Sequence, residues 1–271
     1  MSSPPTTVPT VLVFAGLDPT GGAGLQADIE AIASMGCHAA PVATALTVQD
    51  TRDVHASYPV DPGTLIESAR AVLEDLPVAA CKVGLAGSVA LVEAIHSILL
   101  DYPELPLVLD PVLASGAGSP LAAGDTQAAL VDLLLPRTTV FTPNSREARA
   151  LAPEADSLEA AGQALLDRGC ELVLITGTHE ATPRVVNLLY GNLRQLESFT
   201  WDRLPGEYHG SGCTLASAIA GLLAQGHEPL TAIRQAQEYT WESLKHAYRT
   251  GRGQLIPNRL FWARSTRASR T

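Results

Sequence analysis

Basic side chains are scarce in this chain of 271 residues, and no run of them is interleaved with aromatic residues. Lysine and arginine number 18 against 28 aspartates and glutamates, which gives a formal net charge of −10. Because a groove for a phosphate backbone needs clustered basic residues, nucleic acid is not an expected partner. A phosphate-containing ligand would have to be held locally, by backbone N–H groups, a helix terminus and a metal ion.

Cysteines are also few, and the chain lacks an apolar run long enough to cross a bilayer. The four cysteines have no CxxC spacing, which favours free thiols in a reducing compartment over a disulfide framework. A membrane helix needs about 20 apolar residues, and residues 1–10 do not resemble a signal peptide. We therefore expect a cytoplasmic protein.

Short apolar runs that alternate with helical periodicity are abundant. The first run, VLVFAG (11–16), leads through a glycine-rich turn to a segment with Leu25, Ile29 and Ile32 on one helical face. Because strands that are apolar on both faces are typical of parallel sheets, the pattern predicts a mostly parallel sheet covered by helices on both sides. The other runs of this kind are AAPVATAL (39–46), VAACKVG (78–84), LPLVLD (105–110), TTVFTP (138–143) and ELVLITG (171–177).

Two later runs, RVVNLLYG (184–191) and LRQLESFTW (193–201), are too close together for a crossover helix. We expect them to form an antiparallel hairpin at one end of the sheet. The chain has no internal repeat and no low-complexity linker. The sequence therefore predicts one α/β domain over residues 11–262, with flexible ends at 1–10 and 263–271.

The segment HGSGCT (209–214) is the most informative for function because it runs directly into an apolar helix. Gly210 and Gly212 leave N–H groups of the first helical turn without helical partners, and such a nest binds anions. The helix dipole would stabilise a transferring phosphoryl group and lower the pKa of Cys213, so that its thiolate could accept a proton. The structural alternative is that the glycines only turn the chain and that Cys213 is an inert core residue.

A second glycine-rich segment, AGLDPTGGAG (15–24), lies between the first predicted strand and its helix. Ligands commonly bind beyond the carboxyl ends of parallel strands, which is where this loop lies. It has neither GxGxxG nor the GxxxxGK[ST] lysine loop, so a Rossmann or P-loop nucleotide site is not indicated. A tight turn without a ligand explains the composition equally well.

Five segments, taken in their order and spacing, resemble a known family. They are FAGLDPTGGAGLQADIEA (14–31), TALTVQDT (44–51), LVLDPVLASG (107–116), TPNSREA (142–148) and YHGSGCTLASAIA (208–220). From about residue 11 to residue 262 the chain is similar to the hydroxymethylpyrimidine/phosphomethylpyrimidine kinases of thiamine biosynthesis, members of the ribokinase-like superfamily. The resemblance implies a three-layer α/β/α fold, usually a homodimer, that uses ATP and Mg²⁺ to convert the pyrimidine alcohol to its monophosphate and then its diphosphate.

The resemblance also implies which residues meet the pyrimidine. Gln49 would hydrogen-bond the ring with an amide that both donates and accepts. Gly16 would pack against the ring, and Val112 would belong to the apolar wall. Asp28 would contact the substrate side. The residues themselves leave two alternatives open, with Gln49 as a solvent-facing loop amide and Asp28 as an exposed helical carboxylate.

A second set of residues would form the phosphate side. Asp110 ends an apolar strand, where a carboxylate is costly unless it meets a metal, a donor or water. By resemblance it belongs with Glu147 to the Mg²⁺ environment, since Mg²⁺ favours oxygen ligands and retained waters. By the same resemblance Asn144, Ser211 and Thr176 would contact the nucleotide. For Asn144 and Glu147, three residues apart, the alternative is a helix capping box.

The chain departs from the family pattern around the expected nucleotide. Thr176 stands where a lysine is frequent, and Thr178 stands where the second glycine of a pair is frequent. Ser145 and Arg146 replace an apolar residue and a proline. Two other functions stay open: a pyridoxal kinase, because pyridoxine is also a planar heteroaromatic alcohol, and a catalytically silent pyrimidine-binding protein.

Overall fold

The computed structural model describes residues 7–114, 121 and 124–264. Strands and helices alternate through most of the chain. The strands are β1 (Thr10–Leu17), β2 (His38–Gln49), β3 (Val54–Pro59), β4 (Val78–Val83), β5 (Leu107–Leu109), β6 (Val140–Phe141), β7 (Leu172–Ile175), β8 (Arg184–Gly191) and β9 (Arg194–Asp202). The helices are α1 (Gly24–Ser34), α2 (Pro62–Asp75), α3 (Val89–Leu100), α4 (Gly124–Ala129), α5 (Ser145–Leu151), α6 (Leu158–Leu166), α7 (Ser211–Ala224) and α8 (Pro229–Lys245).

These strands form one sheet in the order β3-β2-β1-β4-β5-β6-β7-β8-β9. The six strands from β2 to β7 in this order pair in parallel, as the apolar runs predict. The β8–β9 hairpin pairs antiparallel at one end, which confirms the sequence prediction. The opposite edge carries β3, which pairs antiparallel with β2 and was not predicted from the sequence.

Both faces of the sheet are buried, so the fold has three layers. On β1, Leu12 and Phe14 belong to the core cluster that packs against α2, α3, α5 and α6. Val11 and Val13, which point the other way, belong to the cluster that packs against α1, α7 and α8. This alternation follows from the period of two in a strand. The three-layer α/β/α architecture of the sequence prediction is thereby confirmed.

The strand order reverses between β1 and β4, and this reversal positions the site. The chain passes from β1 to β2 on one side and later returns to β4 on the other side of β1. Loops that follow neighbouring parallel strands diverge at such a point and leave a crevice at the carboxyl ends of the strands. The glycine-rich loop after β1 and the residues after β4 and β5 lie at this edge.

The described residues cover only part of the predicted flexible ends, 1–10 and 263–271. Residues 7–9 have no regular secondary structure, Thr10 belongs to β1, and Phe261–Arg264 form a short 3₁₀ turn. Residues 1–6 and 265–271 lie outside the described residues. Among the helices of the described ranges, none is both long and apolar enough to span a bilayer.

Candidate active site

A cleft of about 1330 Å³ opens at the carboxyl ends of the parallel strands. Residues of β1–β4, β8, β9, α1, α5, α7 and α8, together with the segments that follow β5 and β7, line it. Of the twelve site residues predicted from the sequence, Asp28 does not line the cleft and the others do. Those that do are Gly16, Gln49, Asp110, Val112, Asn144, Glu147, Thr176, Gly210, Ser211, Gly212 and Cys213.

The start of α7 presents free amides to this cleft. The N–H groups of Ser211, Gly212 and Cys213 have no acceptor in the described part of the chain, and no side chain caps the helix. The N–H of Thr214 is the first that is satisfied, by the Gly210 carbonyl at 3.0 Å. Three unpartnered donors at the positive end of a helix dipole form an anion site.

Close backbone contact between the two glycine-rich loops holds this helix start in place. Gly210 has a φ of +82°, and a Cβ there would overlap the carbonyl oxygen of Gly22. Gly24 has a φ of +54°, and a Cβ there would overlap the carbonyl oxygen of Gly16. Only glycine meets both the left-handed conformation and the close approach.

Asp18, to which the sequence analysis assigns no role, accepts hydrogen bonds from backbone N–H groups of the loop after β1. Its carboxylate accepts from the N–H of Thr20 at 2.7 Å and of Ala23 at 2.8 Å, and lies 2.8 Å from His209 Nε2. Burial alone would raise the pKa of Asp18, but the hydrogen bonds from His209 and Thr20 outweigh it and lower the pKa to about 2. These amides therefore stabilise a tight turn, which was the alternative to a ligand site. The loop also holds His209 in position through Asp18.

Arg259 is a second residue that the sequence reading missed. Its guanidinium is fully buried and donates to the Gly22 carbonyl and, at 2.8 Å, to Thr214 Oγ1. Thr214 Oγ1 in turn donates to the Gly210 carbonyl at 2.7 Å. Because one side chain reaches both glycine-rich loops, it fixes the α7 start from behind. A lone arginine in the segment PNRLFW gives no pattern that would reveal this.

Asp28 requires a correction. It is fully buried and accepts from Lys82 Nζ at 2.9 and 3.1 Å and from Ser217 Oγ at 2.6 Å. Neither the substrate contact implied by the resemblance nor the exposed helical carboxylate describes it. The signal was present in the sequence, because a lysine within the apolar strand VAACKVG needs a buried partner.

Lys82 reaches the cleft and links this buried pair to the site. Burial alone would lower the pKa of Lys82, but the charges of Asp28 and Asp110 more than offset it, so its pKa is raised and the ammonium stays charged. Lys82 thus presents an ammonium beneath the cleft whose charge is balanced by Asp28. Its partner carboxylate is held out of reach of any ligand.

Asp110 and Glu147 face each other across the phosphate side. Burial raises the pKa of Asp110 to about 6, although Lys82 opposes the shift. Burial and the charge of Asp110 raise the pKa of Glu147 to about 8. Asp110 Oδ2 has no hydrogen-bond partner among the described residues. A cation between the two carboxylates would lower both pKa values and give Asp110 Oδ2 a partner.

These carboxylates fit Mg²⁺ better than a metal that needs an all-protein cage. Residues 7–114, 121 and 124–264 contain no group of three or more His, Cys, Asp or Glu side chains that could hold a metal. An ion at Asp110 and Glu147 would complete its ligands with water and phosphate oxygens, as Mg²⁺ does.

Asn144 and Glu147 also form the capping box that was the alternative to a metal role. Asn144 Oδ1 accepts from the N–H of Arg146 at 2.9 Å and of Glu147 at 3.0 Å, and Glu147 Oε2 accepts from the Asn144 N–H at 2.8 Å. The box uses Glu147 Oε2, and the backbone of Leu113 also hydrogen-bonds this carboxylate. Thr176 forms a parallel bridge with Asn144, so both line the same wall.

The described structure disfavours the thiolate expected at Cys213. Burial raises the pKa of Cys213 to about 12; Lys82 opposes this shift, whereas Asp110 and Asp28 add to it. Cys213 and Asp110 line the same cleft, and the thiol there is neutral. The helix dipole is therefore outweighed by desolvation and by two carboxylates.

The other end of the cleft suits a small planar ring. Gly16 lies against Leu85, whose Cδ2 would be 3.0 Å from a Cβ at that position. Val112 lines the same region. Gln49 is the last residue of β2, and its side-chain amide is free of protein partners throughout the described ranges. It is a strand residue facing the cleft, which differs from the solvent-facing loop alternative.

Comparison with known proteins gives one consistent result. The family model described as Phosphomethylpyrimidine kinase matches residues 18–258. A hydroxymethylpyrimidine/phosphomethylpyrimidine kinase of Mycobacterium tuberculosis is 38% identical over 260 residues, which cover 93% of this chain and 94% of that protein.

Solved structures of kinases with two different named activities are similar to this chain. The phosphomethylpyrimidine kinase of Clostridium difficile 630 is 30% identical with a TM-score of 0.76, covering 88% of this chain and all of that one. The pyridoxal kinase of Bacillus subtilis, solved as an ADP complex, is 26% identical with a TM-score of 0.84 and covers 94% of this chain and 99% of that one.

The buried Lys82–Asp28 pair predicts a specific stability pattern. Lys82→Met or Asp28→Asn alone leaves an uncompensated buried group, and each should lower the free energy of unfolding by about 3–5 kcal/mol in urea titrations. The double variant Lys82→Met/Asp28→Asn should cost clearly less than the sum of the two single variants, because it removes both charges of the pair. The control Arg70→Gln breaks an exposed ion pair with Asp101 and should cost about 1 kcal/mol or less. A loss for Lys82→Met no larger than that of the control would contradict the assignment.

Proposed function

The chain belongs to the phosphomethylpyrimidine kinase family and is therefore a phosphotransferase, and we propose that its acceptor is 4-amino-5-hydroxymethyl-2-methylpyrimidine and then the monophosphate of that alcohol. ATP is the proposed donor, and the pyrimidine diphosphate for thiamine biosynthesis is the proposed product. The family match over residues 18–258 supports the reaction class. The ADP complex of the similar Bacillus subtilis kinase supports the nucleotide.

One observation carries the proposal at the level of chemistry. The free N–H groups of Ser211, Gly212 and Cys213 open onto the same cleft as Asp110, at the place where a Cβ on Gly212 would be 3.7 Å from the Asp110 carboxylate. Donors for phosphate oxygens and carboxylates for a cation therefore meet at one point. Phosphoryl transfer needs this pairing more than it needs covalent help from the protein.

Different residues of the cleft bind the pyrimidine and the metal ion in this proposal. Gly16, Gln49 and Val112 hold the pyrimidine with its hydroxyl directed at the α7 start. Asp110 and Glu147 would hold Mg²⁺, which when bound neutralises charge on the terminal phosphates of ATP.

The α7 amides stabilise negative charge that develops on the transferred group. Asn144, Ser211 and Thr176 face the nucleotide. Cys213 is a neutral thiol in the same cleft as Asp110, because its raised pKa leaves almost no thiolate to accept a proton.

We place the reaction in the cytoplasm and in a single domain spanning residues 11–262. The four cysteines are free thiols, which supports a reducing compartment. One continuous sheet supports one domain.

The kinase proposal predicts ADP release that depends on the acceptor. With ATP and Mg²⁺, the pyrimidine alcohol and its monophosphate should both support turnover, and pyridoxine should support much less. Cys213→Ala should lower kcat by about tenfold or less, because the thiol is not the base. Asp110→Asn should lower kcat by about a hundredfold or more, because it removes charge at the transfer site.

A strong preference for pyridoxine would contradict the proposed substrate and support the pyridoxal kinase alternative. Pyrimidine binding without ADP release would transfer it to the silent binding protein.

The homodimer is proposed to form through an exposed apolar row on β1, β2 and β3. Leu17, Leu46 and Tyr58 are register partners on neighbouring strands, with exposed fractions of 42%, 50% and 62%. Val48, 51% exposed, extends the same face. A row of this kind on a sheet face is typical of a protein interface.

Light scattering tests this assembly. The double variant Leu46→Glu/Tyr58→Lys should convert a dimer to a monomer, because charges at the centre of an apolar interface oppose its burial. Leu100→Glu, on the exposed end of α3, is the matched control and should leave the mass unchanged. A wild-type monomer at micromolar concentration would exclude the dimer.

A further inference from the structure

The cleft contains three permanently charged cations among the described residues, and two of them are already engaged. Lys82 is buried in its pair with Asp28. The guanidinium of Arg203 donates to the carbonyls of Thr182, Thr178 and Glu180 at 3.1, 2.8 and 2.9 Å. It clamps the loop that follows β7, and its donors point into that loop.

The third cation, Arg146, is uncommitted. Its side chain lines the cleft, is exposed, and makes no hydrogen bond or ion pair with any residue in the described ranges. Arg149, one turn further along α5, is bound to Glu180 at 2.7 and 3.0 Å and offers no comparable free charge. Because this guanidinium has no structural partner among the described residues, it is available to bind a ligand in the cleft.

Arg146 lies on the wall of the cleft that α5 and the end of β7 form. It is the second residue of α5, directly before Glu147, and Asn144, two residues earlier, is bridged to Thr176 after β7. Burial lowers the pKa of His179, and the positive charge of Arg146 lowers it further, so the guanidinium lies near the loop after β7. The N–H of Arg146 is taken by Asn144 Oδ1, which leaves the side chain as the available donor.

A cation in the cleft would offset the repulsion between the acidic protein and a negatively charged nucleotide. The protein carries a net charge of −10, and Asp110, Asp202 and Glu207 line the same cleft. A nucleotide triphosphate brings several more negative charges. Free amides at the α7 start neutralise only the end of the phosphate chain that they contact, since the effect of a helix dipole falls off within its first turn.

We propose that Arg146 binds the phosphate chain of the nucleotide from the α5 side, opposite the α7 amides, and so determines nucleotide affinity; this inference rests on the proposed kinase function. A guanidinium suits the task because its planar fork donates two parallel hydrogen bonds to phosphate oxygens. The residue acts on nucleotide binding and does not touch the pyrimidine end of the cleft, which is formed by Gly16, Gln49 and Val112.

Steady-state kinetics with ATP separate this role from a structural one. Arg146→Gln should raise the KM for ATP about ten- to hundredfold, the effect of losing charged hydrogen bonds, with kcat and the KM for the pyrimidine unchanged. Arg146→Lys should restore part of the loss, because lysine keeps the charge without the fork. Arg70→Gln, on α2 and away from the cleft, is the matched control and should leave all three parameters unchanged.

Calorimetric titration gives a readout that does not require turnover. Arg146→Gln should weaken ADP binding by a similar factor and leave adenosine binding unchanged, since adenosine has no phosphate. Salt should weaken ADP binding to the wild type more steeply than to Arg146→Gln, because the lost contact is ionic.

The outcomes distinguish this inference from the proposed function. If the wild type releases ADP with the pyrimidine while Arg146→Gln retains its ATP KM and ADP affinity, the role of Arg146 is wrong and the kinase stands. If the wild type does not phosphorylate the pyrimidine but loses ADP affinity with Arg146→Gln, the acceptor is wrong and the nucleotide role of Arg146 stands. A rise in both KM values together with a lower melting temperature would overturn the inference, since it would indicate a structural role.

Discussion

Three backbone N–H groups without protein acceptors, at Ser211, Gly212 and Cys213, are the feature on which the rest of the site depends. They remain free because Gly210 enters the helix in a left-handed conformation that leaves no side chain to cap it. Their position is set by contacts behind them, with Asp18 holding His209 and Arg259 reaching both glycine-rich loops. The interior therefore keeps an anion site open at some cost in unsatisfied hydrogen bonds.

The charges around this helix start form a layered arrangement. Lys82 lies beneath the cleft with its charge maintained by Asp28, whereas Asp110 and Glu147 have raised pKa values. This arrangement supports the proposed binding of a nucleotide together with a divalent ion. An acidic protein can hold a nucleotide in this way because the decisive interactions are short-range and shielded from the outer surface.

The sequence predicts those parts of the molecule that depend on local pattern. Alternation of apolar runs with helical periodicity determines the parallel strands, and the short spacing near Gly191 determines the β8–β9 hairpin. Glycine-rich segments at strand and helix ends indicate the edge at which the site lies. The five family segments contain eleven of the twelve predicted residues, and ten of these line one cleft; Thr176, which lies outside the segments, lines it as well.

The remaining features depend on contacts between distant segments, which local pattern does not encode. The pairing of Lys82 with Asp28 spans 54 positions, and that of Asp18 with His209 spans 191. The raised pKa of Cys213 arises from its burial and neighbouring carboxylates, although its place at a helix start alone suggests the opposite. The edge strand β3 was missed because VHASYP is polar and only partly buried.

Amide chemical shifts recorded by NMR during titration with an ATP analogue that is not hydrolysed, in the presence of Mg²⁺, test the central claim most directly. The account predicts large downfield shifts for the amides of Ser211, Gly212 and Cys213, because each gains a phosphate acceptor. The amides of Thr20 and Ala23, already bound to Asp18, should move much less. Saturation of the nucleotide site with no change at these three α7 amides would contradict the account.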